Sequence, residues 1–154
     1  IDGKDSSQVW GGFRVANRAR ILNRFAELNE DNLIILEASH NGYKSLFGGC
    51  THKRKLIFGD NQLSVIDSIT GSYEHAIARF YIHPNLKTNF VDNFLKIEGD
   101  NFILSSDLSG INAKLTDSTW HPEFGITKYN KLLEIHTNYG ELEINFDWND
   151  KNNI

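Results

Sequence analysis

The segment Leu33-Ile34-Ile35-Leu36-Glu37-Ala38-Ser39-His40-Asn41-Gly42-Tyr43 decides the fold together with its two continuations. Across Gly48-Gly49 the chain resumes as Thr51-His52-Lys53-Arg54-Lys55-Leu56-Ile57-Phe58, and across Gly59-Asp60-Asn61 it closes with Gln62 to Ser68. A run of four apolar residues at 33–36 fits a strand buried on both faces. Gly48-Gly49 and Gly59-Asp60 are turn signals, because glycine takes a positive φ without steric cost. The unit from Asn32 to Ser68 therefore reads as a β-meander, with His40, Asn41 and Tyr43 carried on a loop at one strand end. Taken as a connection, such a loop simply joins two strands; its imidazole, amide and phenol also make it a candidate binding loop.

The rest of the chain repeats the extended pattern. Tyr73 to His83 alternates, with Ala76, Ala78, Phe80 and Ile82 on one face and Tyr73, His75, Arg79 and Tyr81 on the other. Pro84 ends it, since proline cannot donate to a ladder. Phe94-Leu95-Lys96-Ile97 and Phe102-Ile103-Leu104 flank Glu98-Gly99-Asp100-Asn101, a hairpin signal. Ser105 to Ser118 reads as polar and turn-rich, and Trp120 to Gly125 as a packed corner, because Trp and Phe favour burial. After Leu132-Leu133-Glu134-Ile135, residues Leu142, Ile144, Phe146 and Trp148 alternate with Glu141, Glu143, Asn145 and Asp147 in the cleanest strand pattern of the chain. Asp150 to Asn153 reads as a frayed terminus. No segment sustains a 3.6-residue apolar period. The expected fold is all-β: an antiparallel two-sheet β-sandwich forming a single domain over residues 1–154.

Composition sets bounds on partners. A chain of 154 residues with 40% hydrophobic and 12% aromatic residues can bury a sizeable core. The net charge of −4 argues against nucleic acid as a partner, and the lack of a long apolar run argues against a transmembrane helix. Charge is nonetheless unevenly placed. Residues 1–25 hold five cationic side chains against two carboxylates, net +3, which leaves −7 on the remainder. Arg14 to Phe25 is ambiguous between helix and strand. As a continuous strand it would align Arg14, Arg18, Arg20 and Arg24 on one face, either as a solvated surface or as a cationic strip for an acidic polymer.

Recognisable catalytic patterns are few. The six histidines are scattered, with neither HExxH nor a close His-x-His pair, so no metal site is expected within this chain. His75 and His83 lie too far apart on one strand to share an ion. No GxSxG elbow, P-loop or GxGxxG fingerprint is present. Glu141 and Glu143 share a strand face rather than facing each other across a cleft, which reads as solvent-facing charge. Cys50, the single cysteine, reads as a buried structural thiol.

Three stretches together carry a resemblance. Ala38-Ser39-His40-Asn41-Gly42-Tyr43 followed by His52-Lys53-Arg54-Lys55-Leu56-Ile57-Phe58 and Leu63-Ser64-Val65-Ile66-Asp67 is one. Val9-Trp10-Gly11-Gly12-Phe13-Arg14-Val15 and Trp120-His121-Pro122-Glu123-Phe124-Gly125 are the others. In this order they resemble the C-terminal β-domain of the heparinase II/III-like polysaccharide lyases. The resemblance implies a carbon–oxygen lyase acting by β-elimination on a uronic-acid-containing polysaccharide of the heparin, heparan sulfate or alginate kind. It implies an α-helical toroid and a first half of the β-domain, both before Ile1, that carry the metal-binding and catalytic residues, so no catalytic residue and no cofactor is assigned within this chain. Acidic polysaccharide and that upstream α-helical domain are the implied partners, in a periplasmic or secreted bacterial protein. A first residue of Ile and the lack of methionine agree with a segment of a longer polypeptide. The candidate substrate-binding residues are Trp10, Arg14, His40 and Tyr43. The alternative is a non-catalytic carbohydrate-binding or structural module, with Trp10, Arg79 and Tyr81 as a sugar platform.

Overall fold

The computed structural model describes residues 1–12, 14–45 and 48–151. All of its regular elements of any length are antiparallel strands, thirteen among the described residues. They divide into two compact units, Ile1–Ala76 with Thr137–Ile144, and Ile77–His136 with Asn145–Ile154.

The first unit holds β1 (Gln8–Gly11), β2 (Arg14–Ala16), β3 (Ile21–Leu28), β4 (Ile34–His40), β5 (Thr51–Gly59) and β6 (Gln62–Thr70). β1 and β2 form a small hairpin, while β3-β4-β5-β6 run in that order and continue onto the first part of β13 (Glu141–Asp150). The meander expected between residues 32 and 68 is thus present, in continuous register from Ile34↔Phe58 to His40↔His52 and from Thr51↔Thr70 to Gly59↔Gln62. Its details differ in three ways. β4 extends through His40, so that residue ends a strand rather than riding on a loop. Ile34 and Leu36 are exposed, so the run at 33–36 is not buried on both faces. In the β5–β6 turn, Asn61 rather than Gly59 takes the positive φ, at 58°; its short polar side chain tolerates the left-handed region.

The arginine strip is also corrected. Arg14 lies in β2 and Arg24 in β3, two strands in different sheets, and Asn17 at φ 44° turns the chain between them. Arg18 and Arg20 sit in the connection. The four arginines therefore do not line one strand face.

Apart from the end residues Ala76 and Thr137, the second unit holds β7 (Ala76–Ile82), β8 (Lys87–Val91), β9 (Phe94–Glu98), β10 (Phe102–Asp107), β11 (Asn112–Trp120), β12 (Lys128–Thr137) and the rest of β13. One sheet runs β13-β10-β9-β8 and the other β11-β12-β7. The Phe80 ring meets the Phe146 ring edge-on at 5.5 Å between centroids, which joins the two sheets face to face as a sandwich. Leu95, Leu108, Leu133 and Ile135 are fully buried there, and Phe146 nearly so. Ile144, in the first unit's share of β13, is buried as well, while Leu142 and Trp148 are half-buried. Residues 112–118, read as turn-rich, are strand: Leu115 pairs Leu133 and Ala113 pairs Ile135. Phe124 is fully exposed, so the 120–125 segment is not the packed corner its aromatic content suggested. Asp150 belongs to β13, and the Lys151 amide donates to the Asn101 carbonyl at 2.9 Å; residues 152 and 153 lie outside the described residues.

Candidate functional site

The first unit brings three stretches together. Asn41 and Arg20 clasp each other: the Arg20 amide donates to Asn41 Oδ1 at 2.9 Å, and the Asn41 amide donates to the Arg20 carbonyl at 3.1 Å. One residue earlier, the Ala19 amide donates to Ser7 Oγ at 2.9 Å. Gly42 fills the angle between them. A Cβ there would stand 2.4 Å from the Ser6 carbonyl oxygen and 2.9 Å from Ala19 Cβ, so only glycine admits this approach. Residues 6–7, 19–20 and 41–42 therefore interlock, backbone amides meeting the Ser7 and Asn41 side chains and the Arg20 carbonyl.

Over this junction opens a cleft of about 760 Å³, lined by Val15, Asn17, Arg18, Ala19, Arg20, Asn41, Gly42, Lys44 and Ser45. Three of these side chains are cationic and none is a carboxylate, in a chain whose net charge is −4. A second hollow of about 390 Å³ in the other unit mixes Lys87 and Lys131 with Asp117, and Lys131 is already paired with Asp117 at 2.6 Å. Of these two, the first concentrates positive charge without a carboxylate in its lining. A further hollow shares Asn17, Gly42 and Ser45 with it and extends along residues 4–10 to Trp10, which is 72% exposed. That hollow carries Lys4 and Asp5 as well; an exposed indole suits the apolar face of a sugar ring, and the cations of the adjoining cleft suit its acidic substituents.

Beneath the loop, on the face of the sheet shared by β4, β5 and β6, lies a line of polar groups. Asp67 Oδ1 accepts from Arg54 Nε–H at 2.7 Å, and Asp67 Oδ2 from the Arg54 terminal nitrogen at 2.7 Å. His52 Nε2 meets Asp67 Oδ1 at 2.7 Å, His40 Nε2 meets His52 Nδ1 at 3.1 Å, and the Gly42 amide donates to His40 Nδ1 at 3.2 Å. Tyr43 packs against His40 with ring centroids 5.6 Å apart. Burial would raise the Asp67 pKa, but the hydrogen bonds from His52 and Arg54 outweigh it and hold the carboxyl below its usual range. Burial, with a smaller contribution from His52, lowers His40.

Of the four candidates from the sequence, Trp10 lines the hollow beside the cleft. Arg14 is exposed in β2, next to Val15, which does line the cleft. His40 and Tyr43 are half-buried and are not among the residues that line the cleft. Of the other residues in the cleft lining, the sequence pointed to Arg18 and Arg20 through the excess charge of residues 1–25 and to Asn41 as part of the candidate loop, and it gave no signal for Lys44. In the alternative platform, Arg79 is engaged by Glu134 at 2.9 Å while Tyr81 is exposed.

A zinc ion does not fit the residues present. Among the described residues, no group of three or more His, Cys, Asp or Glu side chains converges. The His40 and His52 nitrogens are directed at each other, not at a common point. Cys50 is fully buried, with its thiol donating to the Ser72 carbonyl at 3.3 Å. No helix of the described residues is long and apolar enough to cross a membrane.

The sequence matches the family heparinase II/III-like, C-terminal, over residues 1–148. The chain belongs to that family. Among solved structures, this heparinase II/III-like domain is similar to heparan sulfate lyase HepC from Pedobacter heparinus, with a TM-score of 0.61 and 15% identity over 86% of this chain and 22% of that one. It is also similar to the heparinase III BT4657 gene product, with a TM-score of 0.61 and 10% identity over 86% of this chain and 21% of that one. At these identities the likeness speaks for the fold alone. The domain spans about a fifth of the length of either protein. No curated protein matches it.

Proposed function

We propose that residues 1–154 form the C-terminal β-part of a polysaccharide lyase acting by β-elimination on a uronic-acid-containing polysaccharide, and that their share of the work is to hold the acidic chain. The observation that carries the reading is the cleft walled by Arg18, Arg20 and Lys44 without a carboxylate. Guanidinium groups pair carboxylate and sulfate oxygens through two parallel N–H donors, and Asn41 and Asn17 add amides for hydroxyls.

In the elimination, a base removes the C5 proton of the uronate, the C4–O bond breaks with its electron pair leaving on the glycosidic oxygen, and an acid protonates that oxygen while C4=C5 forms. Charge builds on the uronate carboxylate as C5 loses its proton, so cations near that group stabilise the transition state. No base or acid is assigned among residues 1–154; these roles, and any zinc site, belong to an α-helical domain or other segment outside them. The bacterial, periplasmic or secreted setting follows the same resemblance. A carbohydrate-binding module without its own chemistry is the second reading, favoured by a cationic cleft without an acid–base pair and a neighbouring hollow that reaches an exposed indole.

The test is the ultraviolet absorbance of unsaturated uronate released from heparin, heparan sulfate or alginate. The isolated chain should release none. A longer polypeptide that includes residues 1–154 should release it, with Arg18→Ala/Arg20→Ala raising KM at least tenfold. If no such polypeptide generates the chromophore from any of the three, the lyase reading falls.

A further inference from the structure

We propose that His52 is a positioning residue: with Asp67 and Arg54 it fixes the His40 ring, and through it the Asn41–Gly42 wall of the cationic cleft, and it does so only while both imidazoles are neutral. The ligand meant here is the acidic saccharide of the preceding section, so the affinity part of the inference rests on that reading.

The proton positions follow from one backbone group. Gly42 N–H donates to His40 Nδ1, so that nitrogen carries no proton and His40 Nε2 carries one. His40 Nε2–H then donates to His52 Nδ1, which leaves the remaining His52 proton on Nε2, pointed at Asp67 Oδ1. Arg54 grips the same carboxylate through two donors and keeps it ionised. Each link fixes the tautomer of the next, from a half-buried guanidinium to the backbone of the cleft wall. Register places the links side by side: His40 opposite His52 across β4 and β5, Arg54 opposite Asp67 across β5 and β6.

A proton added to either ring breaks the line. On His40 Nδ1 it sets a donor against Gly42 N–H; on His52 Nδ1 it sets a donor against His40 Nε2–H. The ionisable groups on this face are Arg24 from β3, whose partner Ala38 shares the face of His40, His40 itself from β4, His52 and Arg54 from β5, Asp67 from β6, and Tyr43 from the loop. Burial beside a neighbouring imidazole opposes charging of His40. The wall therefore stays set at neutral pH and is released over the acid range below the ordinary imidazole value of 6.5, because burial holds His40 down. A histidine acting only as nearby charge gives the opposite sign, since protonation beside the cleft would tighten an anion.

Amide hydrogen exchange and affinity for a heparin tetrasaccharide, measured on the chain across this pH range, separate the cases. The expected result is a Gly42 amide protected at neutral pH, protection lost on acidification in step with weaker tetrasaccharide binding, and ¹⁵N shifts showing both rings protonated on Nε2. His52→Ala should remove the protection at every pH and weaken binding roughly three- to tenfold, about the worth of one hydrogen bond. His52→Gln should restore both, because its Oε1 accepts from His40 and its Nε2–H donates to Asp67. A Gly42 amide equally protected in wild type and His52→Ala overturns the proposal, and so does affinity that rises on acidification. If wild type binds no tetrasaccharide, the saccharide reading fails, and the exchange and ¹⁵N signatures alone decide the positioning role. If His52→Ala does not fold, the wild-type pH series and His52→Gln decide it.

Discussion

Replacing Asp67 with alanine strikes the most concentrated set of interactions in the first unit. The carboxylate is 7% exposed and accepts from three donors, two on Arg54 and one on His52, each at 2.7 Å. Asp67→Ala leaves those donors without their acceptor, and truncating one partner of a buried pair costs about 3–5 kcal/mol. Arg54 is 37% exposed on its side chain and can recover some hydration, so the low end, about 3 kcal/mol, applies. With an m-value of about 2 kcal/mol/M in urea, the midpoint of the first unit's unfolding should drop by about 1.5 M. Intrinsic fluorescence and far-ultraviolet dichroism followed through a urea titration measure it. A midpoint within about 0.2 M of wild type, an eighth of that shift, would refute the reasoning, because it would mean that Arg54 and His52 find equal partners elsewhere.

Other outcomes follow from the same geometry. Because the Asp67 pKa is depressed in the fold, its stabilisation is complete above its ordinary value of 3.8 and is lost as pH falls through the lowered one; wild type should lose stability over that acid range, and Asp67→Ala should show a flatter profile. Gly42→Val should destabilise by about 1–3 kcal/mol through its collision with the Ser6 carbonyl and Ala19, and chemical denaturation at no cost relative to wild type would show the junction to be loose. Phe146→Ala should cost about 3–5 kcal/mol, since the ring is buried against Phe80. Phe124→Ala, at a fully exposed ring, should stay within about 0.5 kcal/mol; equal effects of the two in a melting experiment would reverse the assignment of the core.

Strands whose apolar residues alternate against charge are legible in the sequence. β13 and β7 show it, because each buries one face and the side-chain period is then written directly in residue type. β8 was missed, as its return to β9 turns on Asp92 and Asn93, both at positive φ, without the glycine that usually marks such a turn. β11 was missed because its inward residues Ala113 and Leu115 are separated by Lys114 and followed by Thr116, Asp117 and Ser118, which read as loop. The site was legible in composition but not in geometry. The positive excess of residues 1–25 pointed to Arg18 and Arg20, yet placing them beside Asn41 and Lys44 depends on the clasp between Arg20 and Asn41, a contact 21 residues apart in sequence. His40 drew notice as an imidazole in a loop; its partners lie across the sheet on β5 and β6, where no local spacing rule reaches.

The central claim is that the cleft of Arg18, Arg20 and Lys44 binds acidic saccharide. Titration calorimetry with a heparin tetrasaccharide, comparing wild type with Arg18→Ala/Arg20→Ala at two salt concentrations, tests it most directly. A charge-assisted contact contributes about 1.5–3 kcal/mol, so losing two should weaken binding by at least about a hundredfold and reduce its dependence on salt. Lys114→Ala, on β11 of the second unit, should leave affinity unchanged. Equal affinity in wild type and Arg18→Ala/Arg20→Ala, or a loss confined to Lys114→Ala, would contradict the account.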